Sequence, residues 1–343
     1  MYKRNGRYEK KITLDDGTKK TFYGATEREV KQKIRAYVRK QESGTHTLAE
    51  AIAARTAEES PNWSPNTRRA EKGAVKMISA GLLATDLDEI RAKDVSQELA
   101  RLAKMGYALK TIKLVRSCIT SAIRYALAED WTENNPINAI RTPQAPETKR
   151  KATTDEDAEK IIRYRHDGEI NFLAFLTLTT GLRRGEALAL TWNDIDFEKR
   201  TITVNKTACL DDDLKQYAKK PKSDAGNRIV PIVDLLYDDL KARRDAGDKH
   251  VVNLTLATIT ARAEQYAEDL ELSPGWSLHC NRHAFATECV RSGVDIKTAQ
   301  SILGHADIGT TLNIYAEVTA DMRDTAAEKL SGKFAKRDRK NIV

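Results

Sequence analysis

Long apolar runs are missing from this sequence. No stretch approaches the ~18 consecutive apolar residues that a membrane-spanning helix needs. The charged start at Lys3 and Arg4 is not followed by the apolar segment of a secretory signal. With 40% hydrophobic and 31% charged residues, the composition is typical of a soluble globular protein. We therefore expect a cytoplasmic protein that has no membrane partner.

Cysteine is scarce, and internal repeats and low-complexity tracts are absent. The four cysteines, at positions 118, 209, 280 and 289, form no CxxC pair. This scatter argues for reduced thiols and against a disulfide scaffold. A chain of 343 residues is longer than one ordinary hydrophobic core requires, so two or three domains are expected.

Basic charge is present, and it is concentrated at the N-terminus. The whole chain has a net charge of +8, and residues 1–45 contribute +7 of it, with 13 lysines and arginines against 6 acidic residues. Such a concentration favours a polyanionic partner, of which nucleic acid is the commonest. The alternative is a basic tail that only aids solubility.

The N-terminal residues have the pattern of a small sheet on a helix. Residues 7–23 predict a β-hairpin with its turn at Gly17. Thr26 and Glu29 predict a capping box at the start of a helix. A narrow sheet of this kind can enter the major groove of DNA. The DNA-contacting residues predicted on it are four lysines: Lys10, Lys11, Lys19 and Lys20.

From about 47 to 139 the periodicity is helical. Proline and glycine divide this stretch into four predicted helices, near 47–59, 65–80, 93–105 and 108–129. The last helix has Lys110, Lys113 and Arg116 between its inward apolar residues, where they are free to face a phosphate backbone. For each of these bases alone, a solvated helix face is the ordinary interpretation.

Composition also marks the domain boundaries. Residues 141–151 lack apolar periodicity and contain two prolines and four basic residues, which predicts an inter-domain linker. Helical and strand-like segments are mixed beyond it, so the expected fold class is mostly α with small β-sheets, an α+β protein. The predicted divisions are a basic domain at 1–45, a helical domain at 46–140, the linker, a mixed domain at 152–332 and a basic tail at 333–343.

The mixed domain contains groups suited to cutting DNA. That reaction needs a nucleophile, cations for the phosphate charge and an acid for the leaving oxygen. In the motif TGLRRGE, which ends at Glu186, Gly181 ends one helix and Arg183 begins the next, where anions are favoured. Glu186 follows at helical spacing and is placed to hold the Arg183 guanidinium. Taken alone, such an Arg–Glu pair is usually structural.

Two further motifs add histidines and a tyrosine. In HCNRH, His279 and Arg282 are three residues apart and project from one side of a helix. His279 and His283 have the spacing of zinc ligands, but the glutamate of an HExxH helix is missing, so a metal site is disfavoured. The motif LGH ends at His305, and Tyr315 follows ten residues later.

Together these motifs resemble the active-site signature of the tyrosine recombinase family, over about residues 150–332. The resemblance rests on five residues in matching order and spacing: Arg183, His279, Arg282, His305 and Tyr315. The family also uses a lysine on a β-hairpin between its arginine motifs. Lys222 fits that position best, and Lys219 and Lys220 lie close enough to remain alternatives. The N-terminal part resembles phage and conjugative-transposon integrases, whose basic N-terminal domain binds arm sites and whose helical second domain binds the core site. In this chain the corresponding ranges are 1–45 and 46–140.

The resemblance implies a role for each of these residues. Tyr315 attacks the phosphorus and becomes joined to the 3′ phosphate. Arg183 and Arg282 clamp the non-bridging oxygens, a bidentate task that suits arginine. His305 donates a hydrogen bond to the phosphate, and His279 assists proton transfer at the tyrosine. Lys222 protonates the leaving 5′ oxygen. No metal or cofactor is expected.

The expected function is site-specific recombination that integrates or excises a phage or mobile element. Its partners are expected to be duplex DNA with core and arm sites, a tetramer of the chain on that DNA, and an accessory excision protein or host DNA-bending protein. Two alternatives are DNA relaxation of the type IB topoisomerase kind and a non-enzymatic DNA-binding regulator. The sequence departs from the common pattern at Asn281, where many members have an aliphatic residue, and in an insert-like stretch from Lys206 to Lys220.

Overall fold

The computed structural model describes residues 2–4, 7–13, 17–42, 45–146, 152–220 and 226–304, together with Gly309 and Leu312. The chain divides into two compact units, Met1–Lys149 and Arg150–Val343. Small antiparallel sheets accompany many helices in the described part. The α+β prediction is therefore confirmed. No helix there is both long and apolar enough to cross a membrane.

The first unit begins with a three-stranded antiparallel sheet covered by one helix. The predicted hairpin is confirmed, and a further strand lies beside it, in the order β1-β2-β3. The helix packs on the sheet through Tyr37, whose ring lies edge-on to Phe22 at 5.4 Å between centroids. The elements are β1 (Tyr2–Arg4), β2 (Arg7–Thr13), β3 (Lys19–Gly24) and α1 (Glu27–Glu42).

Local side-chain bonds fix the start of α1 close to the prediction. The Glu29 N–H donates to the Thr26 hydroxyl at 3.2 Å, as expected for a cap. The Glu29 carboxylate accepts from the Ala25 N–H at 2.7 Å rather than from the Thr26 N–H. The return bond of the predicted capping box is therefore shifted by one residue.

The rest of the first unit is a helical bundle around one long helix. Its helices are α2 (Leu48–Glu59), α3 (Pro65–Met77), α4 (Ala80–Leu83), α5 (Ala92–Lys104) and α6 (Leu109–Ala128). The four predicted helices are present, and the short α4 was not predicted. Ile112, Val115 and Ile119 of α6 are fully buried, because their helical spacing directs them all to the side on which the other helices pack. On the same helix Lys110 and Lys113 are exposed, whereas Arg116 is half-buried.

The second unit packs helices around a buried central helix. Seven helices and five strands are described: α7 (Asp155–Arg163), α8 (Glu169–Thr180), α9 (Arg184–Ala189), β4 (Ile195–Asp196), β5 (Thr201–Val204), β6 (Thr207–Leu210), β7 (Gln216–Lys219), β8 (Arg228–Pro231), α10 (Asp234–Asp245), α11 (Leu256–Asp269), α12 (Leu278–Arg291) and α13 (Ile296–Leu303). Phe172, Leu173, Phe175 and Leu176 of α8 are buried on all sides, which explains why this helix is apolar around its whole circumference.

The strands of the second unit form two small sheets. One has the order β4-β5-β8, and the other is the hairpin β6-β7. The hairpin accounts for the insert-like stretch from Lys206 to Lys220. It lies directly against α9 at Gly185, where a Cβ atom would be 2.5 Å from the Thr207 hydroxyl and 2.7 Å from the Ala208 carbonyl oxygen. The contact therefore requires glycine.

Candidate active site

Arg183 is held at a sharp junction between two helices, as the sequence predicts. Gly181 ends α8 in the left-handed conformation, with φ of 65°, and Arg183 is the N-cap of α9. A Cβ atom on Gly181 would lie 2.5 Å from the Phe285 ring on α12. Glycine is therefore required here for both conformation and packing.

Glu186 holds Arg183 from two directions. The carboxylate accepts from the Arg183 backbone N–H at 2.8 Å and from Arg183 Nη1 at 2.8 Å. Arg183 Nη2 also donates to the Gly304 carbonyl at 3.0 Å. The Arg183 side chain nevertheless remains 42% exposed. One side of its guanidinium is thus fixed, and the other side is open to an anion.

A second arginine binds the same carboxylate. Arg228 on β8 donates from Nη1 and Nη2 to the two oxygens of Glu186, at 3.0 and 2.7 Å. Burial alone would raise the pKa of Glu186, but the hydrogen bonds and charge of Arg228, with those of Arg183, lower it to about 2. The carboxylate therefore stays ionised in the interior.

Arg282 is the most enclosed of the predicted site arginines. Its side chain projects from α12 and donates to the carbonyls of Gly181, at 2.7 Å, and Leu303, at 2.6 Å. Only 4% of the residue is exposed. Burial and the neighbouring charge of Arg183 lower the pKa of Arg282, while Glu186 opposes this. An arriving anion would relieve that unfavourable positive charge.

The three guanidiniums meet at the end of α13. Each donates to one of three consecutive backbone carbonyls there, at 2.6, 2.6 and 3.0 Å. The last carbonyls of a helix have no partner within the helix, so they are natural acceptors for cations. The donor and acceptor pairs are Arg228 with Ile302, Arg282 with Leu303, and Arg183 with Gly304. The next residue in the chain is His305.

Asn281 explains the departure from the common motif. The residue belongs to α12 and is fully buried. Its amide oxygen accepts from the Thr153 hydroxyl at 2.6 Å and from the Trp276 indole at 3.2 Å. Its amide nitrogen donates to the Ala174 carbonyl at 2.9 Å and to the Thr177 hydroxyl at 3.2 Å. Four hydrogen bonds of the Asn281 amide thus hold α12 in place at the position between His279 and Arg282.

The structure brings together part of the predicted set. Arg183 is hydrogen-bonded to Glu186, and Arg183 and Arg282 both donate to carbonyls at the end of α13. His279 is exposed on α12, one turn before Arg282. Three predicted site residues lie outside the described residues: Lys222, His305 and Tyr315. Of the alternatives to Lys222, Lys219 ends β7 and Lys220 follows it, both exposed.

The remaining predictions concern metal ligands and a missed residue. In the described ranges, no group of three or more His, Cys, Asp or Glu residues is arranged to hold a metal ion. Arg228 was not among the predicted site residues. The feature that could have indicated Arg228 is the alternation of buried and exposed residues along β8, which places Arg228 on the same buried face as Val230. A charged residue on the buried phase of a strand requires a partner.

The four lysines of the N-terminal sheet lie on two different faces. Cross-strand partners point to the same side of a sheet. Lys10 is paired with Phe22, which contacts α1, and the Lys20 ammonium lies 3.7 Å from the centre of the Tyr37 ring. Both therefore belong to the helix-covered face. Lys11 and Lys19 lie on the open face.

The bases of α6 also differ from one another. Lys110 and Lys113 are exposed. Arg116 is half-buried, and its Nε has no hydrogen-bond partner among the described residues. The two lysines are therefore free to contact solvent or a ligand, whereas Arg116 lies partly in the bundle.

The chain is similar to known proteins over most of its length. The model of the phage integrase family matches residues 151–322. A tyrosine recombinase XerC-like protein of Caldanaerobacter subterraneus subsp. tengcongensis is 24% identical, over 97% of this chain and 98% of that protein. The transposase from transposon Tn916 of Enterococcus faecalis is 27% identical, over 83% of this chain and 77% of the transposase.

A solved structure has the same fold. The Tn1549 transposon integrase, in complex with transposon right end DNA, superimposes with a TM-score of 0.69 and 21% identity. The match covers 83% of this chain and all of that chain.

Proposed function

The chain belongs to the phage integrase family of tyrosine recombinases, and on that premise we propose that it cuts and rejoins DNA at a defined site through a covalent bond to Tyr315. The observation that carries the proposal is the pair formed by Arg183 and Arg282 at the end of α13. Both side chains are fixed by hydrogen bonds to the protein. A fixed cationic pair stabilises the charge of a phosphate in its transition state without further reorganisation.

The proposed cleavage proceeds by in-line displacement. The Tyr315 phenolic oxygen attacks the scissile phosphorus while the bond from phosphorus to the 5′ oxygen breaks. His279 assists removal of the phenolic proton, His305 donates a hydrogen bond to the phosphate, and Lys222 gives a proton to the departing oxygen. A free tyrosine has a pKa of about 10 and is a weak nucleophile, so the neighbouring cations must favour its ionised form.

Rejoining reverses the same step. The 5′ hydroxyl of a partner strand attacks the phosphotyrosine, and Tyr315 leaves as the phenol, so the bond energy is conserved and no nucleotide cofactor is consumed. Exchange between two duplexes requires four cuts, one for each strand. We therefore propose a tetramer on DNA, assisted by an accessory excision protein or a host DNA-bending protein. The cytoplasm of a bacterial host is the proposed location, because one relative is the transposase of a transposon from Enterococcus faecalis.

The DNA-contacting surfaces are proposed from exposure and charge. On the N-terminal sheet, Lys11 and Lys19 lie on the open face, which supports contact with arm-type sites. On α6, Lys110 and Lys113 are exposed beside each other at helical spacing, which supports contact with the backbone of a core site. The transposon integrase of the same fold was solved in complex with DNA.

The test is covalent trapping on DNA. Nicked duplexes tiled across the DNA that flanks the coding sequence release a short strand after cleavage, so the covalent adduct accumulates. We expect one of them, hereafter the trapping duplex, to yield a 3′ adduct on Tyr315 that Tyr315→Phe abolishes. The matched control is Tyr164→Phe, which changes a partly exposed tyrosine of α7's C-terminal end and should trap as the parent does. Equal adduct from Tyr315→Phe and the parent would contradict the mechanism.

Strand exchange separates recombination from its alternatives. Two differently labelled duplexes that carry the trapped site should give joint products. Relaxation of supercoiled DNA without joint products would instead favour a topoisomerase. Binding without any adduct would favour a non-enzymatic regulator.

A further inference from the structure

Arg228 is a buried guanidinium outside the proposed catalytic set. Its side chain is 2% exposed, and all three of its nitrogens donate: two to Glu186 and Nε to the Ile302 carbonyl at 2.6 Å. A buried cation is tolerated only where such partners compensate for its lost hydration. The arginine is therefore fixed in place and closed to DNA.

Glu186 links Arg228 to Arg183. One carboxylate oxygen accepts from Nη1 of both arginines, and the other accepts from Arg228 Nη2 and the Arg183 backbone N–H. Without Arg228, the ionised carboxylate would retain only the half-exposed Arg183 guanidinium and the Arg183 backbone N–H as partners. It would then either take up a proton or draw Arg183 inward.

The third bond of Arg228 reaches the end of α13. It holds the Ile302 carbonyl, immediately before the two carbonyls that accept from Arg282 and Arg183. Arg228 thus fixes both supports of Arg183: the carboxylate on one side and the helix end on the other. All three elements involved, β8, α9 and α13, belong to the second unit.

We propose that Arg228 is a positioning residue for DNA cleavage, which holds Arg183 in place through Glu186 and the end of α13. The proposal rests on the function proposed above. Arg228 makes no contact with the phosphate itself, because its side chain is buried and each of its three nitrogens donates to a group inside the protein. Its replacement should slow the chemical step and leave DNA affinity nearly unchanged.

The first test separates cleavage from binding. Arg228→Met and Arg228→Lys are compared with Arg165→Met. Arg165 likewise binds one carboxylate, at 2.8 Å from Asp239, and one backbone carbonyl, at 2.8 Å from Ile162. The rate of adduct formation is measured in a single turnover at saturating trapping duplex, and affinity by filter binding. We expect Arg228→Met to be slower by about 10²-fold, Arg228→Lys by less, and Arg165→Met to stay within about twofold of the parent.

The second test asks whether the loss concerns phosphate charge. A methylphosphonate at the scissile position replaces one charged oxygen with a neutral methyl group, so the demand for a well-placed cation falls. On this substrate the deficit of Arg228→Met relative to the parent should shrink to less than about tenfold. A general structural defect would give the same deficit on both substrates, and that result would overturn the proposal.

A double variant covers the case in which Arg228→Met does not fold. Glu186→Gln with Arg228→Met removes both buried charges, which is far less destabilising than leaving one unpaired. In the Glu186→Gln background, Arg228→Met should slow cleavage by a smaller factor than it does in the parent, because only the support at the end of α13 is left to lose. Losses that multiply, or parent-like cleavage by Arg228→Lys and the double variant, would overturn the inference. If the parent traps no adduct on any duplex, the proposed function fails instead.

Discussion

Glu186 accepts hydrogen bonds from two arginines while only 6% of its surface is exposed. Its burial by itself would favour the neutral acid, yet Arg228 and Arg183 lower its pKa to about 2, from 4.5. Because the pKa is lower in the folded state, the carboxylate stabilises the fold at any pH above 4.5. That contribution is lost progressively as the pH falls from 4.5 through 2.

We predict that Glu186→Gln is less stable than the parent by about 3 kcal/mol at neutral pH, the value expected for this lowering of the pKa. The difference should remain constant between pH 7 and pH 5 and narrow below pH 4.5, where this carboxylate takes up a proton in the unfolded parent while it stays ionised in the folded one. Urea unfolding of both proteins at several pH values measures it. A difference that is the same at pH 3 and pH 7 would contradict the ionised state of Glu186.

Arginines 183, 228 and 282 show how much of the site the sequence contains. The bond between Arg183 and Glu186 could be predicted, because the two residues are three positions apart at the start of one helix. The bond between Glu186 and Arg228 could not, since 42 residues separate the partners. Backbone carbonyl acceptors, such as that of Ile302, have no residue type and therefore leave no motif in the sequence.

The contact of α9 with the β6-β7 hairpin is a close approach between two elements. At Gly185 the helix comes so near to β6 that even one methyl group would collide with the Thr207 hydroxyl and the Ala208 carbonyl. The hairpin was only an insert-like stretch in the sequence, because nothing local indicates which helix it covers. Gly185 itself stands between Arg184 and Glu186, so a shift of α9 would move the residues that hold Arg183.

We predict that Gly185→Ala destabilises the second unit by about 1–3 kcal/mol, because backbone atoms must move to admit the methyl group. The matched variant is Gly73→Ala in α3, where a Cβ atom would meet nothing within 4 Å. That change should stabilise the first unit by about 0.5–1 kcal/mol, the helical advantage of alanine. Urea unfolding followed by tryptophan fluorescence measures both. Equal effects of the two substitutions would show that α9 and β6 are not in contact.

At the scale of the whole molecule, charge is divided unevenly. Residues 1–45 contribute +7 of the net +8, although the second unit contains the proposed catalytic arginines. The sequence alone reveals this distribution, but the orientation of each lysine depends on where α1 covers the sheet. The domain boundary at 45 and 46 stays a prediction. Electrostatic attraction to DNA should therefore depend strongly on the open face of the N-terminal sheet.

We predict that Lys11→Ala with Lys19→Ala lowers the salt dependence of DNA binding more than Lys10→Ala with Lys20→Ala does. Each phosphate contact contributes a slope of about 0.9 to the log–log plot of affinity against salt, so the open-face pair should reduce the slope by about 1.8. A random-sequence duplex suffices, because this term is independent of base sequence. Equal reductions from the two pairs would show that the sheet faces do not differ in their contact with DNA.

The meeting of three guanidiniums with three consecutive carbonyls has a consequence for mutational tolerance. The acceptors at Ile302, Leu303 and Gly304 are backbone atoms, so they persist whatever side chain is attached. Position 302 should accept other helix-compatible residues in a saturation library, whereas its donor at position 228 should accept almost none. Selection would then conserve the arginine that donates in each contact, but not the side chain of the residue whose carbonyl accepts. Covariation between the partners would be missing even though the contact is maintained.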